Sequence, residues 1–519
     1  MTLTLTSAVD LLRKHHLLRE IITPTMWTID PKRLPETEFT AVSYDSRAVD
    51  GGTLLFCKGR FKAEYLAKAD EAGLPCYVAE TDYSDTTKAI GLIVDDVRKA
   101  MSLLSAAFYG RPQDSLTVIG VTGTKGKTTT AYFTQAILNA ASHGKAALFS
   151  SVDNCLDGEH YEESDLTTPE SMDAFRMMRT AVDNGMKYLV MEVSSQAYKV
   201  DRVHGLTFDV GAFLNISPDH ISPIEHPTFE DYLYCKRQLI ANSRRLVLNA
   251  DTMHADLLRE DAAAHGIDVD TFALHDGHGD GTPADTVASP ADADHIDFDI
   301  AYKGDDLGKF HLAIDGDFNY ANAAAAITIA RAAGVSLDDA EALHALGSVR
   351  IAGRMEQFTD TQSDTLAIVD YAHNYASVTA LLDFVDERYG SRHPHITLIT
   401  GSAGNKAYDR REEIVKAAQD RIGNFVFTAE DTDTEPFIDI CMQMQGYITN
   451  KDVASTVISD RPTAIMSAVY DARAHQDRFD VILIIGKGDE RWIKEHNKHV
   501  PFEGDDHIIE RLFGLGDNA

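Results

Sequence analysis

Five cysteines in 519 residues, Cys57, Cys76, Cys155, Cys235 and Cys441, are too scattered for a disulfide framework, and no Cys-x-x-Cys pair marks a zinc site. Nowhere do about eighteen apolar residues run together, and the N-terminus has no basic segment leading into an apolar one. Neither a membrane span nor a secretory leader is expected. Cations are scarce: 48 Lys+Arg against 81 Asp+Glu leave a net charge of −33, which repels nucleic acid and anionic membranes at long range. A phosphorylated ligand must then be met by local cations, so basic residues beside glycine turns gain weight. No internal repeat and no dedicated interface segment is visible. These absences predict a cytoplasmic monomer with no nucleic-acid partner and no membrane insertion. Hydrophobic content of 44% is ordinary, and at roughly 150 residues per domain the length predicts three domains.

The stretch Gly120-Val-Thr-Gly-Thr-Lys-Gly-Lys-Thr-Thr-Thr130 follows the apolar run 116–121 and leads into a helical pattern over 128–140. Strand, glycine-rich turn and helix start together form a phosphate cradle, because glycines let the backbone approach and helix N-terminal amides point at the anion. Gly123, Thr124, Lys125, Gly126, Lys127, Thr128 and Thr129 are the candidate contacts. Lys127 adds a point charge and Thr128 a hydroxyl for Mg²⁺, so the expected ligand is a triphosphate with its metal. The strict phosphate-loop pattern has glycine where Val121 stands.

Up to residue 112 the pattern is short and mixed: an amphipathic start over 8–19, then 39–44, Gly51-Gly52 and a strand over 53–57. On its residues alone, Ser43-Tyr-Asp-Ser-Arg47 reads first as a polar turn and second as a grip on a nucleotide diphosphate. Gly110-Arg-Pro112 reads as a linker. From 113 to 350, strands at 188–191, 210–214 and 246–248 end in Glu192, Asn215-Ile-Ser-Pro-Asp-His220 and polar residues, with helical stretches between, which predicts a parallel sheet. The histidines of the 251–299 stretch, His254, His265, His275, His278 and His295, lack metal-site spacing. From 351 to 519, strands at 366–369, 396–400, 425–428 and 481–485 are followed by Asp370-Tyr-Ala-His373, Gly401-Ser-Ala-Gly-Asn405, Glu430-Asp431 and Gly486-Lys-Gly-Asp-Glu490. The fold class is α/β, with chemistry expected beyond the C-terminal ends of the strands.

A triphosphate site needs a carboxylate for Mg²⁺, and Glu192 is the natural candidate, with His220 as a second ligand or either as a hydrogen-bonded structural residue. Lys236, as an ammonium, has no lone pair for a metal and on this physics reads as a surface lysine.

In this order the motifs resemble those of the Mur ligase family. The carriers are Asp45-Ser-Arg47, Gly123-Thr-Lys-Gly-Lys-Thr128, Thr167-Thr-Pro169, Glu192-Val-Ser-Ser195, Asn215 with Asp219-His220, Tyr232 with Lys236, Asn319 with Asn322, Gly353-Arg354, Asp370-Tyr-Ala-His373 and Gly486-Lys-Gly488, spread over all three domains. Lys125 stands where many members have asparagine. The resemblance implies a uridine-nucleotide domain (1–112), a central ATPase domain (113–350) and a C-terminal, dinucleotide-fold-like amino-acid domain (351–519). It implies that Ser46 and Arg47 lie by the uridine nucleotide, and that Thr167, Thr168, Ser194 and Arg202 hold the UDP-N-acetylmuramoyl dipeptide. Lys127 and Thr128 would bind the phosphates and Mg²⁺, Glu192 and His220 the metals, and Asn322, Arg354 and His373 the ATP. The lysine matching Lys236 is carbamylated in the family, which makes it an anionic oxygen ligand. The implied reaction transfers the γ-phosphate of ATP to the D-glutamyl carboxylate, after which the amine of an amino acid displaces phosphate.

Members that add diaminopimelate carry Asp-Asn-Pro-Arg after the third strand of the C-terminal domain, the arginine meeting the distal carboxylate. Here the matching stretch is Glu430-Asp-Thr-Asp433. Asp431 and Asp433, with Asp489 and Glu490, repel such a carboxylate and attract an ammonium, so the expected substrate is L-lysine, then L-ornithine, with meso-diaminopimelate the alternative. A solvated acidic turn is the plainer reading of these residues. A folate polyglutamylating ligase shares the loop but not Asp45-Ser-Arg47 or Thr167-Thr-Pro169. A ligase-like protein that binds nucleotide without turnover is the alternative of another class; loss of Lys127, Glu192 or Lys236 would favour it, and all are present.

Overall fold

The computed structural model describes residues 2–222, 225–275, 283–291, 297–406 and 408–515. The chain divides into two compact units, one made of Met1–Ser217, Leu233–Phe272 and Ala325–Leu343, the other of Pro218–Tyr232, Ala273–Ala324 and His344–Ala519. Both are built of α/β layers with parallel and antiparallel strand pairs. Among the described residues no helix is long and apolar enough to cross a membrane.

The first unit opens with the helix Leu5–Lys14, whose start is fixed by a capping box between Thr4 and Ser7. The expected helix over 8–19 thus begins earlier and stops at His15; His16 turns left-handed (φ 57°) and the chain enters the strand Leu18–Thr23. A six-stranded sheet follows in the order Met26–Thr28, Leu18–Thr23, Ile90–Val94, Cys76–Ala79, Thr53–Phe56, Ala41–Ser43. Leu54, Phe56, Val78 and Leu92 pack against Val9, Leu12, Met101 and Leu104, each buried side chain contributing about 1.5–3 kcal/mol. At the expected linker Arg111 is left-handed (φ 52°) and Pro112 opens a short 3₁₀ turn.

The larger sheet of this unit is centred on Thr117–Thr122, flanked by Tyr188–Glu192 and Val210–Phe213, with Ala146–Phe149 beyond one and Arg245–Asn249 beyond the other, all parallel. The central strand connects to Ala146–Phe149 on one side, whereas Tyr188–Glu192 connects to Val210–Phe213 on the other, and the crevice this switch creates lies at the strands' C-terminal ends. The glycine-rich turn begins there, and the helix Lys127–Ser142 follows it. Val121 is fully buried in the central strand, paired to Glu192 on one side and Ala212 on the other. A glycine at 121 is thus not needed for this path.

In the second unit a six-stranded sheet runs in the order Glu356–Thr359, Thr365–Asp370, Asp480–Ile485, His395–Thr400, Asn424–Phe427, Ala454–Val457, parallel except for its first strand. Asp480–Ile485 is buried along its whole length, as expected for a strand covered on both faces. Thr286–Pro290, Asp297–Tyr302 and Asp305–His311 form an antiparallel meander. His254 and His265 cap opposite ends of the helix Ala255–Ala264 rather than meeting; His278 and His295 lie outside the described residues. All five cysteines are buried and none is in a disulfide.

Candidate active site

Gly126 adopts φ 80°, a left-handed conformation that costs glycine nothing, and so places the first turn of the helix Lys127–Ser142 directly after the loop. Gly123 is needed for space, since a Cβ there would stand 2.9 Å from Leu214 Cβ and 3.2 Å from the Lys125 carbonyl. Asn215 grips the loop from the neighbouring strand end: the Lys125 N–H donates to its Oδ1 (2.8 Å) and its Nδ2 donates to the Lys125 carbonyl (3.0 Å). Thr124 N–H donates to the Asn215 carbonyl (3.1 Å), and the Ser217 N–H donates to Thr124 Oγ1 (3.1 Å). The Lys127 ammonium folds back on the carbonyls of Gly123 (3.0 Å) and Thr124 (3.3 Å).

Glu192 is fully buried at the end of its strand. Its Oε1 accepts from the Ser151 N–H (2.8 Å) and hydroxyl (3.2 Å), and Ser151 Oγ lies 3.0 Å from Thr128 Oγ1. Its Oε2 is buried without a hydrogen-bond partner among the described residues. A carboxylate oxygen held dry and unmatched is costly by itself, and hard oxygen donors from Glu192 and Thr128 in one cluster suit a magnesium ion. Lys236, on the helix Phe229–Ala241, is 2% exposed rather than at the surface. Its ammonium donates to the Gly123 carbonyl (2.7 Å) and Thr122 Oγ1 (3.4 Å). Its apolar stem is buried while its head is met by a loop carbonyl and a threonine hydroxyl, which a reading of the residue alone could not anticipate. Lys127 and Lys236 thus share one acceptor, with their positive heads close together.

Thr168 donates to the Glu192 carbonyl (2.9 Å) and accepts from the Ser194 N–H (3.0 Å), and Ser194 caps the short helix Ser195–Lys199. Thr167 is half-buried beside it. Arg202 donates to Glu170 Oε1 (3.0 Å), while Lys58 donates to Glu170 Oε2 (2.5 Å), so both cations near Thr168 converge on one internal carboxylate held below its ordinary pKa despite burial. Ser46 is partly buried, and Arg47 is largely exposed and paired with Asp45 at 2.8 Å.

In the second unit His220, left-handed at φ 57°, faces Glu225 across 3.2 Å, and Asp219 takes hydrogen bonds from Asn374 (3.0 Å) and Arg410 (3.1 Å). Asn322 donates to Asn319 Oδ1 (3.0 Å). Arg354 lies over the Tyr371 ring at 4.9 Å, and His373 Nδ1 lies 2.7 Å from the Tyr371 carbonyl. Gly353 abuts the Gly488–Asp489 backbone so tightly that a Cβ would come within 2.3 Å of the Asp489 nitrogen, which ties the Arg354 turn to the loop carrying Asp489 and Glu490. Asp431 and Glu490 converge on the fully buried Lys487, which is 2.9 Å from Asp431 and lies over Trp492. Asp433 pairs with Lys494 (3.2 Å) and accepts the Asn497 N–H (2.7 Å), so it is also part of the hairpin Trp492–Glu495/Lys498–Pro501. Glu430 makes no side-chain hydrogen bond among the described residues; desolvation, then the Asp431 charge, pushes its pKa up to about 7.

Residues 121–330 match the pattern of the Mur ligase middle domain, and 353–488 that of the Mur ligase, glutamate ligase domain. A UDP-N-acetylmuramyl-tripeptide synthetase of Bifidobacterium longum is 75% identical over 99% of this chain and 100% of its own. This chain belongs to the Mur ligase family. Another Mur ligase, the UDP-N-acetylmuramoyl-L-alanyl-D-glutamate--L-lysine ligase of Enterococcus faecalis, is 42% identical over 98% of this chain and 99% of its own. A solved UDP-N-acetylmuramoyl-L-alanyl-D-glutamate--2,6-diaminopimelate ligase shares the fold, with a TM-score of 0.61 at 22% identity, covering 93% of this chain and 96% of that one.

In this Mur ligase, sequence reasoning named Asn215 and Lys487 but not what they hold, and it missed Ser151 and Glu170 altogether. Ser151 links Thr128 to Glu192, and its place after the strand Ala146–Phe149 is the same strand-end signal that singled out Glu192. Asn215 is a staple of the loop. Glu170 gathers Arg202 and Lys58, and Lys487 gathers Asp431 along with its near neighbour Glu490; Arg202, Lys58 and Asp431 lie too far along the chain from their partners to leave a local signal.

Proposed function

We propose that this Mur ligase uses ATP to join L-lysine to the D-glutamyl carboxylate of UDP-N-acetylmuramoyl-L-alanyl-D-glutamate, in the synthesis of the peptidoglycan precursor. The observation that carries the reading is the cluster of the Gly123–Thr128 loop, Lys127 and the dry, half-matched carboxylate of Glu192. In this proposal residues 1–112 take the uridine nucleotide, with Ser46 and Arg47 beside it, residues 113–350 the ATP, and residues 351–519 the amino acid.

Loop amides and Lys127 bind and orient the phosphates, and Thr128, Glu192, His220 and Lys236 are the groups that would hold magnesium. When bound, the metal neutralises charge that opposes a carboxylate approaching a polyanion. Lys236 would serve as its carbamate. That modification replaces one of two neighbouring ammonium groups with an anion and so turns a like-charged pair with Lys127 into an opposite-charged one. Asn322, Arg354 and His373 are proposed ATP contacts. Thr167, Thr168 and Ser194 line the place for the dipeptide, with Arg202 offering a cation to its anionic groups. The D-glutamyl carboxylate attacks the γ-phosphorus, ADP leaves, and the amine displaces phosphate from the resulting acyl phosphate.

For the amino acid, Lys487 and Lys494 already offset part of the charge of Asp431, Glu490 and Asp433. What remains for a side-chain ammonium is chiefly Glu430. An entering cation would draw Glu430 back to its ionised form, so attraction and proton release are coupled. The test is phosphate release from ATP by the purified protein with the UDP-dipeptide, bicarbonate and Mg²⁺, supplied separately with L-lysine, L-ornithine and meso-diaminopimelate. Release with lysine is expected. Release with diaminopimelate alone would overturn the choice of amino acid, and release with none would overturn the ligase.

A further inference from the structure

Arg461 and Asp505 are both fully buried and joined by two hydrogen bonds, Nε to Oδ1 (2.7 Å) and an Nη to Oδ2 (2.6 Å). Desolvating such a pair costs about as much as its attraction returns, so its presence is weak evidence of a stability role. The rest of the guanidinium shows another use. One Nη donates to the Ile485 carbonyl (2.8 Å) and the other reaches the Ala429 carbonyl (3.4 Å). Those carbonyls end two strands, Asp480–Ile485 and the continuation of Asn424–Phe427, that are not neighbours, since His395–Thr400 runs between them. Immediately after them come Glu430-Asp431 and Gly486-Lys487.

The two strand exits nonetheless meet above the intervening strand. Gly401 lets them, because a Cβ there would stand 2.5 Å from the Thr428 carbonyl and 2.9 Å from Glu430 Cβ. Gly486 (φ 102°) lets Glu430 lie over it, with a virtual Cβ 2.5 Å from Glu430 Oε2. Close approach is thus permitted by missing side chains on one side and tied by one guanidinium on the other. Asp505 is in turn fixed as the first residue of the helix Asp505–Phe513, whose next residue, Asp506, holds Arg491 (2.5 Å), the neighbour of Glu490.

We propose that Arg461, locked by Asp505, is a positioning residue that sets the gap between the two arms of the amino-acid pocket, 429–431 and 485–490. This rests on the reading of those arms as the amino-acid site. Arg461 touches no substrate; it acts through the carbonyls behind Glu430 and Lys487. A lysine at 461 retains one charge but lacks the planar fork that reaches a carboxylate and two carbonyls at once.

The experiment compares the wild type with Arg461→Lys and with the double variant Arg461→Met/Asp505→Leu, which removes the pair without stranding a charge. In both, the KM for the amino acid is expected to rise about tenfold, the worth of one or two lost hydrogen bonds, while kcat and the KM values for ATP and the UDP-dipeptide stay within about twofold. The measurement uses whichever amino acid the wild type turns over, so a failure of the lysine assignment shows in the wild type and not in the variants. Hydrogen–deuterium exchange on the same proteins is the readout that needs no turnover: amides of 429–433 and 486–490 should exchange at least about tenfold faster, with Thr365–Asp370 unchanged. Unchanged exchange in both arms, or KM values for all three substrates rising together, would overturn the proposal.

Discussion

Around Gly123–Thr128 the parts are held by backbone, through a left-handed glycine, a helix start and an asparagine that grips one residue on both sides. Around Asp431 and Glu490 they are held by charge against charge, with a buried lysine between two acids and an arginine beneath the strand ends. Backbone geometry is written in short, contiguous sequence; charge networks are assembled from residues tens of positions apart. The first kind of site tolerates little variation at its glycines, whereas the second can be retuned by moving a single charge. Substrate choice is therefore expected to reside in the second.

The sharpest way to break that contrast is at Lys236. Lys236→Ala and Lys236→Arg should each lower phosphate release by at least about 10³-fold, since neither can form the carbamate; wild-type rates in either would remove Lys236 from the chemistry. On the charge side, Glu430→Gln should lower kcat/KM for lysine by about 10–100-fold, the worth of a charge-assisted hydrogen bond, leaving the KM for ATP alone.

The same residue gives a pH signature. With its pKa pushed up to about 7 from an ordinary 4.5, Glu430 is mostly protonated below neutrality in the free protein. Thus kcat/KM for lysine should climb tenfold per pH unit up to about 7 and then level, and Glu430→Gln should flatten that climb. Its effect on folding has the opposite sense. Between 4.5 and about 7 the native state binds the proton that the unfolded chain has released, so Glu430's contribution to stability falls as pH rises through that window.

Asn215→Ala should raise the KM for ATP about tenfold by loosening the loop, with no change in the KM for lysine. Asp433→Asn is the mildest: it keeps an acceptor for the Asn497 N–H and removes one charge, for an expected rise of about fivefold in the KM for lysine. No change there would make Asp433 a residue of the hairpin alone.

The phosphate loop and its strand and helix were legible because glycines, hydroxyls and the period of the hydrophobic pattern all lie within about twenty residues of each other. The strand-end rule found Glu192 and also the Glu430-Asp431 turn. It did not find the depth of Lys236, because burial of a lysine head depends on the Gly123 carbonyl and the Thr122 hydroxyl, more than a hundred residues away in sequence. Nor did a row of acids announce its own lysines: Lys487 stood in the motif Gly486-Lys-Gly488, but that it neutralises Asp431 and Glu490 is a fact of the folded sheet. The early start of the first helix was missed because Thr4 and Ser7 compete with the hydrophobic pattern for its start.

The chain passes between its two compact units at 217/218, 232/233, 272/273, 324/325 and 343/344. Neither unit is therefore a single stretch of the message. At roughly 5–20 residues per second, the piece that completes the first unit, with the buried run Ala325–Ala330, leaves the ribosome about twenty seconds to a minute after the N-terminus. Until then the earlier strands have no finished partner surface, and no single cut in the gene would yield two halves that each contain one whole unit.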